Sequence, residues 1–418
     1  MRTIALFFAL AASFYGQERH VVVISLDGYP AYALRDPQTP APNLRRLIRE
    51  GAWAPEGMTP INPTVTWPNH TAMVTGVDAS HHGVLYNGLP VVSPGAVKVE
   101  PWVPKSQLVL APTVYDLVHT RGMKTAEVDW VAIYEPKTID FAFSEVPKPD
   151  SVVVKEMVAA GIVSAEDIAN FQKSPITFRD EIWTDAAMHI LERHKPNLLL
   201  FHLLTTDSSQ HRYGARSLGA VSALALADAR VGQLVAAVRT AGMLDRTTFL
   251  VVSDHGFHTA SKLIRPAALL KERGISNVAV VSEGGTAMIY GSVPAGTFDS
   301  LAPACKVIVP GQFASLGFPP PGGRMADLVL AAADGYAFSG DANGPVIGDV
   351  PPGANAGNHG YLSSNPDMRP IFVAWGAGIK SGAKVDGVRS IDVAPTIAGL
   401  LGLSMQNIDG RVITAALK

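Results

Sequence analysis

Aspartate, histidine and threonine recur in five short segments of this 418-residue chain, and these residue types can bind divalent metals or act as nucleophiles. The segments are Ile24-Ser25-Leu26-Asp27-Gly28, Thr64-Val65-Thr66-Trp67-Pro68-Asn69-His70, Thr206-Asp207-Ser208-Ser209-Gln210-His211, Ser253-Asp254-His255-Gly256 and Gly357-Asn358-His359-Gly360. Outside the segment with Thr66, three aspartates and three histidines supply about the number of ligands that two ions of the zinc kind need, with positions left open. The combination indicates a two-metal centre.

The hydroxyl of Thr66 lies in a proline-punctuated turn and is the candidate nucleophile of that centre. A free threonine hydroxyl is a poor nucleophile, and metal coordination is a recognised way to convert it to an alkoxide near neutral pH. Taken alone, the segments have simpler interpretations. Asp27 before Gly28 could cap a turn, and Asp207 with His211 could be a surface pair on one helical turn.

The elements that must position these residues follow from the apolar pattern. Short, continuously apolar runs predict buried strands of a largely parallel sheet at Val21–Leu26, Asn197–Leu204, Thr247–Val252 and Pro370–Trp375. Helical periodicity appears at Pro42–Glu50, Thr113–Arg121, Ser217–Gly242 and Ile391–Leu401. The alternation predicts a doubly wound α/β fold, whose sheet gathers strand ends, and the residues after them, at one edge.

Two regions depart from this alternation. Gly88–Val109 is rich in Pro, Val and Gly and predicts loops or a hairpin, while Lys262–Asn355 contains many Gly and Pro residues and short strand-like pieces. We therefore expect residues 18–261 and 356–418 to form the catalytic core. Residues 262–355 are expected to form a smaller inserted subdomain beside it.

The amino-acid composition limits the classes of partner that can be expected. The 34 Lys and Arg residues nearly balance the 36 Asp and Glu residues, so no electrostatic reason exists to expect stable nucleic-acid binding. An anionic substrate would need a local positive feature, such as a metal. The sequence leaves the oligomeric state open.

The N-terminus predicts export. Arg2 precedes an apolar run from Ile4 to Ala12 that has the length of a signal-peptide core, so residues 1–16 are expected to be a signal peptide. Cys305 is the single cysteine, which excludes an intramolecular disulfide. A large exported chain without disulfides fits a bacterial periplasm, or secretion. No later segment has the pattern of a membrane span.

The ordered motifs from Asp27 to His359 resemble those of the nucleotide pyrophosphatase/phosphodiesterase family, a branch of the alkaline-phosphatase superfamily. Ser390–Thr396 is also similar to the C-terminal helix of that superfamily. The resemblance implies an alkaline-phosphatase-like fold and two Zn²⁺ ions. It assigns one ion to Asp207, His211 and His359, and the other to Asp27, Asp254 and His255, with the Thr66 oxygen as a further ligand.

The same resemblance implies further roles near the nucleophile. Asn87 matches the residue that donates a hydrogen bond to a non-bridging phosphate oxygen, and Trp67 matches an aromatic that stacks on a substrate group. His70 matches a motif residue that is not a ligand. The chain departs from the family at Trp130-Val131-Ala132-Ile133-Tyr134, where members often carry Trp-Pro-Gly. Tyr134 is a candidate substrate contact there, and nucleotide specificity is in doubt.

The expected function is hydrolysis of a small phosphodiester or pyrophosphate through a phosphothreonine intermediate. A phosphomonoesterase or a phosphonoacetate hydrolase of the same superfamily is the alternative, and a catalytically silent metal-dependent binding protein is a third. No Lys or Arg occurs between Ala52 and Pro90, where a monoesterase could place a cation beside Thr66, and this favours the diesterase.

Overall fold

The computed structural model describes residues 18–351, 353–354 and 357–418, so the predicted signal peptide lies outside the described residues. The α-helices are α1 (Ala31–Arg35), α2 (Pro42–Glu50), α3 (Thr66–Thr75), α4 (Ala79–His82), α5 (Lys105–Leu108), α6 (Val114–Thr120), α7 (Val152–Ala159), α8 (Ala165–Asn170), α9 (Ile176–Arg193), α10 (Thr205–Tyr213), α11 (Leu218–Thr240), α12 (Pro266–Glu272) and α13 (Val393–Leu400). The strands are β1 (His20–Leu26), β2 (Ala52–Trp53), β3 (Leu89–Ser93), β4 (Ala96–Glu100), β5 (Thr125–Val128), β6 (Phe141–Phe143), β7 (Leu198–Leu203), β8 (Thr247–Val252), β9 (His258–Thr259), β10 (Lys262–Ile264), β11 (Ala279–Ser282), β12 (Thr286–Tyr290), β13 (Cys305–Ile308), β14 (Leu328–Ala332), β15 (Tyr336–Phe338), β16 (Ile347–Asp349), β17 (Gly357–Asn358), β18 (Phe372–Gly376) and β19 (Ala383–Lys384).

An eight-stranded sheet in the order β19-β2-β18-β8-β1-β7-β5-β6 forms the centre of the fold. Its middle strands β8, β1, β7 and β5 are parallel, and β1, β7 and β8 are buried along their whole length. Burial on both faces explains why these strands are continuously apolar rather than alternating. The predicted α/β fold with a largely parallel sheet is confirmed.

The last predicted strand differs from the parallel arrangement. β18 pairs antiparallel with both β8 and β2, and it runs against the other strands of the sheet. A buried apolar run identifies a strand but carries no information about its direction, which depends on the path of the preceding chain. β18 follows the loops after β17 and enters the sheet at the edge where β8 ends, since Phe372 pairs with Val252.

Helices cover both faces of this sheet, and buried polar side chains fix where two of them start. Asp228 of α11 accepts hydrogen bonds from the backbone N–H groups of Asn43 and Leu44, at 3.1 and 2.7 Å, and so caps the N-terminus of α2. Asp180 of α9 does the same for Leu204 and Thr205 at the start of α10, at 3.0 Å each. Charges in helix interiors thus define the ends of neighbouring helices.

Helix α11 is long and apolar enough to cross a membrane by length and composition. Half of its apolar window is buried inside the protein, and it packs against α9, α10 and α2. A helix buried in the core of a protein gives the same signal, so the composition of α11 is accounted for by its packing.

The segment from Lys262 to Asp349 contributes no described strand to the central sheet. It contains a four-stranded sheet, β11-β12-β14-β13, and a three-stranded sheet, β15-β10-β16. The four-stranded sheet shares a hydrophobic cluster with α3 and α4, in which Met288 of β12 joins Ala72 of α3 and Ala79 of α4. The shared cluster lies beside α3, the helix that begins at Thr66. The division into a core and an inserted subdomain stays a prediction.

The second irregular region, Gly88–Val109, contains the predicted hairpin, which is formed by β3 and β4.

Candidate active site

The three central strands end at the same level of the sheet and bring acidic residues together. Leu26 of β1 is in register with Leu203 of β7, and Ser25 is in register with Val252 of β8. Asp27 follows β1 directly, Asp254 and His255 follow β8, and α10, which carries Asp207 and His211, follows β7. Neighbouring parallel strands therefore account for five of the six residues predicted as metal ligands.

The sixth predicted ligand, His359, comes from a glycine-rich loop that packs closely on its surroundings. A Cβ atom on Gly357 would lie 2.0 Å from the carbonyl oxygen of Gln210, so only glycine lets this loop approach α10. Gly360 has a φ of +78°, and a Cβ there would lie 1.7 Å from the carbonyl oxygen of Glu283. The loop is thereby held between α10 and the β11–β12 turn.

The first ligand group, which we call the inner cluster, consists of Asp27, Asp254 and His255. All three side chains are fully buried, and one ligand atom of each lies within 4.8 Å of the others. His255 Nε2 lies 3.4 Å from Asp27 Oδ1 and 3.2 Å from Asp254 Oδ2. Two carboxylates and one imidazole thus face a common point.

The second group, the outer cluster, consists of Asp207, His211 and His359. Asp207 Oδ1 lies 3.3 Å from His211 Nε2 and 3.7 Å from His359 Nε2. These side chains are partly exposed, with 28% for His211, 14% for Asp207 and 11% for His359. The rings of His255 and His359 stack with their centroids 3.7 Å apart, so the two clusters adjoin.

The imidazole of each cluster histidine is oriented by the backbone. The Nδ1 atoms of His211, His255 and His359 lie 2.9, 3.1 and 3.0 Å from the carbonyl oxygens of Gly357, Gly256 and Thr64. A carbonyl can only accept, so Nδ1 carries the proton and Nε2 of the neutral ring keeps its lone pair. This is the usual second contact of a metal-binding histidine.

The carboxylate oxygens that face the clusters lack hydrogen bonds within the described chain. They are Asp27 Oδ1, Asp207 Oδ1 and Asp254 Oδ2. A buried carboxylate oxygen without a partner is costly, and gathered negative charges add to that cost. Burial, followed by the charges of Asp254 and Asp207, raises the pKa of Asp27 well above its usual value. Divalent cations would satisfy these oxygens, so both donor sets fit a metal.

Electrostatics also keeps two cluster histidines neutral at pH 7. Burial lowers the pKa of His255 to about 4. Burial, with the neighbouring His255 and His211, lowers the pKa of His359 to about 3. A histidine must be deprotonated to bind a metal, so these two rings are ready to do so without losing a proton.

Thr66 is placed next to the inner cluster by the start of α3. It is the first residue of this helix, and its Oγ lies 3.4 Å from His255 Nε2. The preceding turn is fixed by Asn69, whose side chain accepts from the N–H of Ile61 at 2.8 Å and donates to the carbonyl of Val65 at 3.1 Å. The predicted turn position of Thr66 is refined to the first turn of a helix, where the first N–H groups have no partner within the helix itself.

Asn87 is oriented by the same turn. Its Oδ1 accepts a hydrogen bond from the N–H of Trp67 at 3.0 Å. The amide Nδ2 is consequently available as a donor on an exposed side chain. The two residues predicted to contact substrate beside Thr66 are therefore in contact with each other.

Aromatic side chains border the groove next to Trp67. The Trp102 ring lies 6.4 Å from Trp67 and 6.3 Å from Tyr134, in edge-to-face arrangements. Trp67, Trp102 and Tyr134 line one groove, together with Val131 and Ile133. The role of Tyr134 as a substrate contact stays a prediction. Trp102 was missed by sequence reasoning, although an aromatic in the Pro-rich stretch Glu100–Pro104 was a usable signal.

A second layer of histidines supports the inner cluster. His202 of β7 bridges two acids, with Nε2 2.9 Å from Asp27 Oδ2 and Nδ1 3.1 Å from Asp129 Oδ2. His70 has Nδ1 2.9 Å from the carbonyl of Thr66 and belongs to neither cluster, and its non-ligand role stays a prediction. His202 was also missed. A histidine within the apolar strand Leu198–Leu203 was the only sign of it.

The fold and this arrangement of acids, histidines and threonine define a candidate metal-dependent hydrolase of the α/β class. The family model for type I phosphodiesterase / nucleotide pyrophosphatase matches residues 21–362. The chain belongs to this family, as the motif resemblance predicted.

Individual relatives are distant but are matched over most of their length. Ectonucleotide pyrophosphatase/phosphodiesterase family member 7 of Rattus norvegicus is 23% identical, over 94% of this chain and 86% of its own. The bis(5'-adenosyl)-triphosphatase enpp4 of Xenopus laevis is 24% identical, over 94% of this chain and 80% of its own. The first relative is named as a nucleotide pyrophosphatase/phosphodiesterase and the second as a triphosphatase.

Among solved structures, murine ectonucleotide pyrophosphatase/phosphodiesterase 5 superposes with a TM-score of 0.75 at 18% identity. The match covers 96% of this chain and 100% of the other, which is an inactive T72A variant in complex with AMP. This likeness establishes the shared fold.

Proposed function

We propose that this chain hydrolyses phosphodiester or pyrophosphate bonds, with Thr66 as nucleophile beside two Zn²⁺ ions held by the inner and outer clusters. One observation carries the proposal. Three buried carboxylate oxygens without hydrogen bonds face three Nε2 atoms whose rings are fixed by backbone carbonyls. Structural charge networks pair their buried oxygens, whereas these donor sets are left open.

The donor sets suit zinc. Each cluster offers three ligands, which combine imidazole nitrogen with carboxylate oxygen. Three protein ligands are the number found at zinc sites that keep a position open for chemistry. When bound, such ions lower the pKa of a coordinated hydroxyl and stabilise the attacking and leaving oxygens.

The residues of the chain then divide the reaction in two. Thr66 Oγ loses its proton and forms a bond to phosphorus as the bond to the leaving-group oxygen breaks. This leaves a phosphothreonine ester, and the leaving oxygen takes up a proton and departs as an alcohol or a phosphate. A water molecule hydrolyses this ester, which restores the threonine and releases the second product. Asn87 Nδ2 donates to a non-bridging oxygen, because its Oδ1 is held by the N–H of Trp67.

The groove lined by Trp67, Trp102 and Tyr134 receives the organic group of the substrate. Three aromatic rings in edge-to-face contact present apolar faces on which a flat or apolar group can pack. A nucleobase is one such group, in keeping with the AMP of the murine structure and the adenosyl substrate in the name of the frog relative.

Export of the chain belongs to the same proposal. The apolar run from Ile4 to Ala12 supports a signal peptide at residues 1–16, and hence a periplasmic or secreted enzyme. N-terminal sequencing of the mature protein, expressed with its full N-terminus, should find a start close to residue 17. An intact Met1 on exported or retained protein would contradict it.

The direct test of function is a paired assay on zinc-loaded protein, with a nitrophenyl phosphodiester and the matching phosphomonoester as substrates. We expect a clear diester preference and a loss of at least about a thousandfold in Thr66→Ala, since loss of a nucleophile removes the covalent route. Thr66→Ser is the matched control because it keeps the hydroxyl, and it should retain measurable turnover. A monoester preference, or a Thr66→Ala variant with wild-type rate, would contradict the proposal.

A further inference from the structure

A third group of metal-binding side chains lies on the helical layer, away from the candidate active site. Glu156 of α7 faces His189 of α9 and His194, the residue that follows α9. Glu156 Oε2 lies 3.0 Å from His189 Nε2 and 2.7 Å from His194 Nε2. One ligand atom of each residue lies within 4.8 Å of the others.

Both imidazoles converge on the same carboxylate oxygen, so three ligand atoms of the types that bind zinc face one another. Two N–H donors on one oxygen leave the other oxygen, Oε1, to Arg193, whose Nε lies 3.1 Å away. The arginine therefore contacts the oxygen that the two imidazoles do not face. The His194 ring is fixed in place by stacking on Phe141, at 3.9 Å.

The burial of the group also suits a bound ion. The exposed fractions of the side chains are 10% for His189, 13% for His194 and 20% for Glu156. Such a site is shielded enough to strengthen the interaction and open enough for an ion to enter. Two imidazole nitrogens and a carboxylate oxygen are a recognised donor set for zinc.

We propose that Glu156, His189 and His194 bind a Zn²⁺ ion that crosslinks α7 to α9. The ion replaces the two hydrogen bonds to Glu156 Oε2 and binds the Nε2 lone pairs, while each ring carries its proton on Nδ1. A metal that binds only the folded chain stabilises it. The crosslink also steadies α9, which supplies the Asp180 cap of α10 beneath the outer cluster.

The experiment counts zinc at equilibrium. The full chain is stripped with a chelator, dialysed against buffer of defined free zinc, and assayed for bound zinc per chain by elemental analysis. His189→Gln and His194→Gln are compared with wild type and with the control His119→Gln. His119 is a partly exposed histidine with a single carboxylate neighbour, Asp140 at 3.4 Å, and belongs to no three-ligand group among the described residues.

We expect His189→Gln and His194→Gln each to bind about one zinc fewer than wild type, while His119→Gln binds the same amount. The count is a difference from wild type, so it is independent of how many ions the active site holds. If either histidine variant fails to fold, Glu156→Gln, which keeps the shape of the side chain, replaces it. Unchanged zinc content in the folded variants overturns the proposal, because the cluster is then only a hydrogen-bonded ion group.

The rise in melting temperature caused by zinc is an independent readout. Part of this rise should be lost in His194→Gln and kept in His119→Gln, while both variants retain diesterase activity at saturating zinc. An equal rise in the two variants would overturn the crosslink between α7 and α9.

Discussion

The inner and outer clusters share one edge of the sheet but differ in charge and exposure. The inner cluster combines two carboxylates with one imidazole and is fully buried. The outer cluster combines one carboxylate with two imidazoles and is partly exposed. Strand ends at the centre of the sheet supply the first, whereas a helix and a glycine-rich loop supply the second.

This difference in charge and exposure indicates that the two clusters have different roles. The inner cluster adjoins Thr66 and concentrates charge in a dry environment, where electrostatic interactions are strongest. The outer cluster opens to solvent, from which water and leaving groups exchange. Removal of an inner ligand should therefore have a larger and less reversible effect than removal of an outer one.

The largest effect is expected for Asp254→Asn in the inner cluster. Diester turnover, measured as kcat/KM, should fall by at least about a thousandfold, since a metal supplies several kcal/mol of transition-state stabilisation. The metal-free variant should resist urea better than wild type, because the repulsion between Asp254 and Asp27 is removed. Asp334→Asn, at a side chain that is 88% exposed, is the control. If Asp254→Asn kept a kcat/KM within tenfold of wild type, the greater importance of the inner cluster would be contradicted.

A smaller and reversible effect is expected for His211→Gln in the outer cluster. Turnover should fall by about a hundredfold at limiting zinc and recover largely in excess zinc, because two ligands remain and the site is open. The measurement is a zinc titration of activity. Failure of excess zinc to restore His211→Gln, or full rescue of Asp254→Asn by zinc, would reverse the assignment of the two clusters.

Two helix caps allow an effect on the outer cluster to be distinguished from an effect on the stability of the whole protein. Asp180→Ala and Asp228→Ala should each lower the free energy of unfolding by about 2 kcal/mol, because each leaves two backbone N–H groups uncapped. Only Asp180→Ala should also raise the zinc concentration needed for activity, since Asp180 caps the helix that carries Asp207 and His211. Urea unfolding and the zinc titration measure the two effects. Equal zinc requirements in both variants would show that α10 does not depend on its cap.

The smallest effect concerns the pH dependence of the metal-free protein. The pKa of His359 is lowered to about 3 by burial, so between pH 6.5 and about 3 the unfolded chain binds a proton that the folded chain does not. Stability contributed by neutral His359 is present above pH 6.5 and is lost as the pH falls through this window. His359→Gln should therefore reduce the slope of unfolding free energy against pH by about 1.4 kcal/mol per pH unit between pH 4 and 6. An identical slope in the variant would contradict a buried, neutral ring.

The sequence predicted the residues that carry chemistry better than those that support them. Asp27 and Asp254 were found because they follow apolar strands, and parallel topology then brings them together. His202 and Asp180 act through contacts with residues distant in sequence, such as the 175 positions that separate His202 from Asp27. No local pattern marks such a contact. The antiparallel direction of β18 also has no local pattern, since it depends on the path of the chain outside the strand.

Anomalous diffraction at the zinc edge, from crystals of the zinc-loaded protein, tests the two-cluster account most directly. The account predicts one peak bonded to Asp27, Asp254 and His255 beside Thr66, and a second bonded to Asp207, His211 and His359. The inner peak should persist when the free zinc is lowered, and the outer peak should fade first. Zinc at only one of the two clusters, or at neither, would contradict it, whereas a further peak at Glu156, His189 and His194 bears only on the separate proposal for that site.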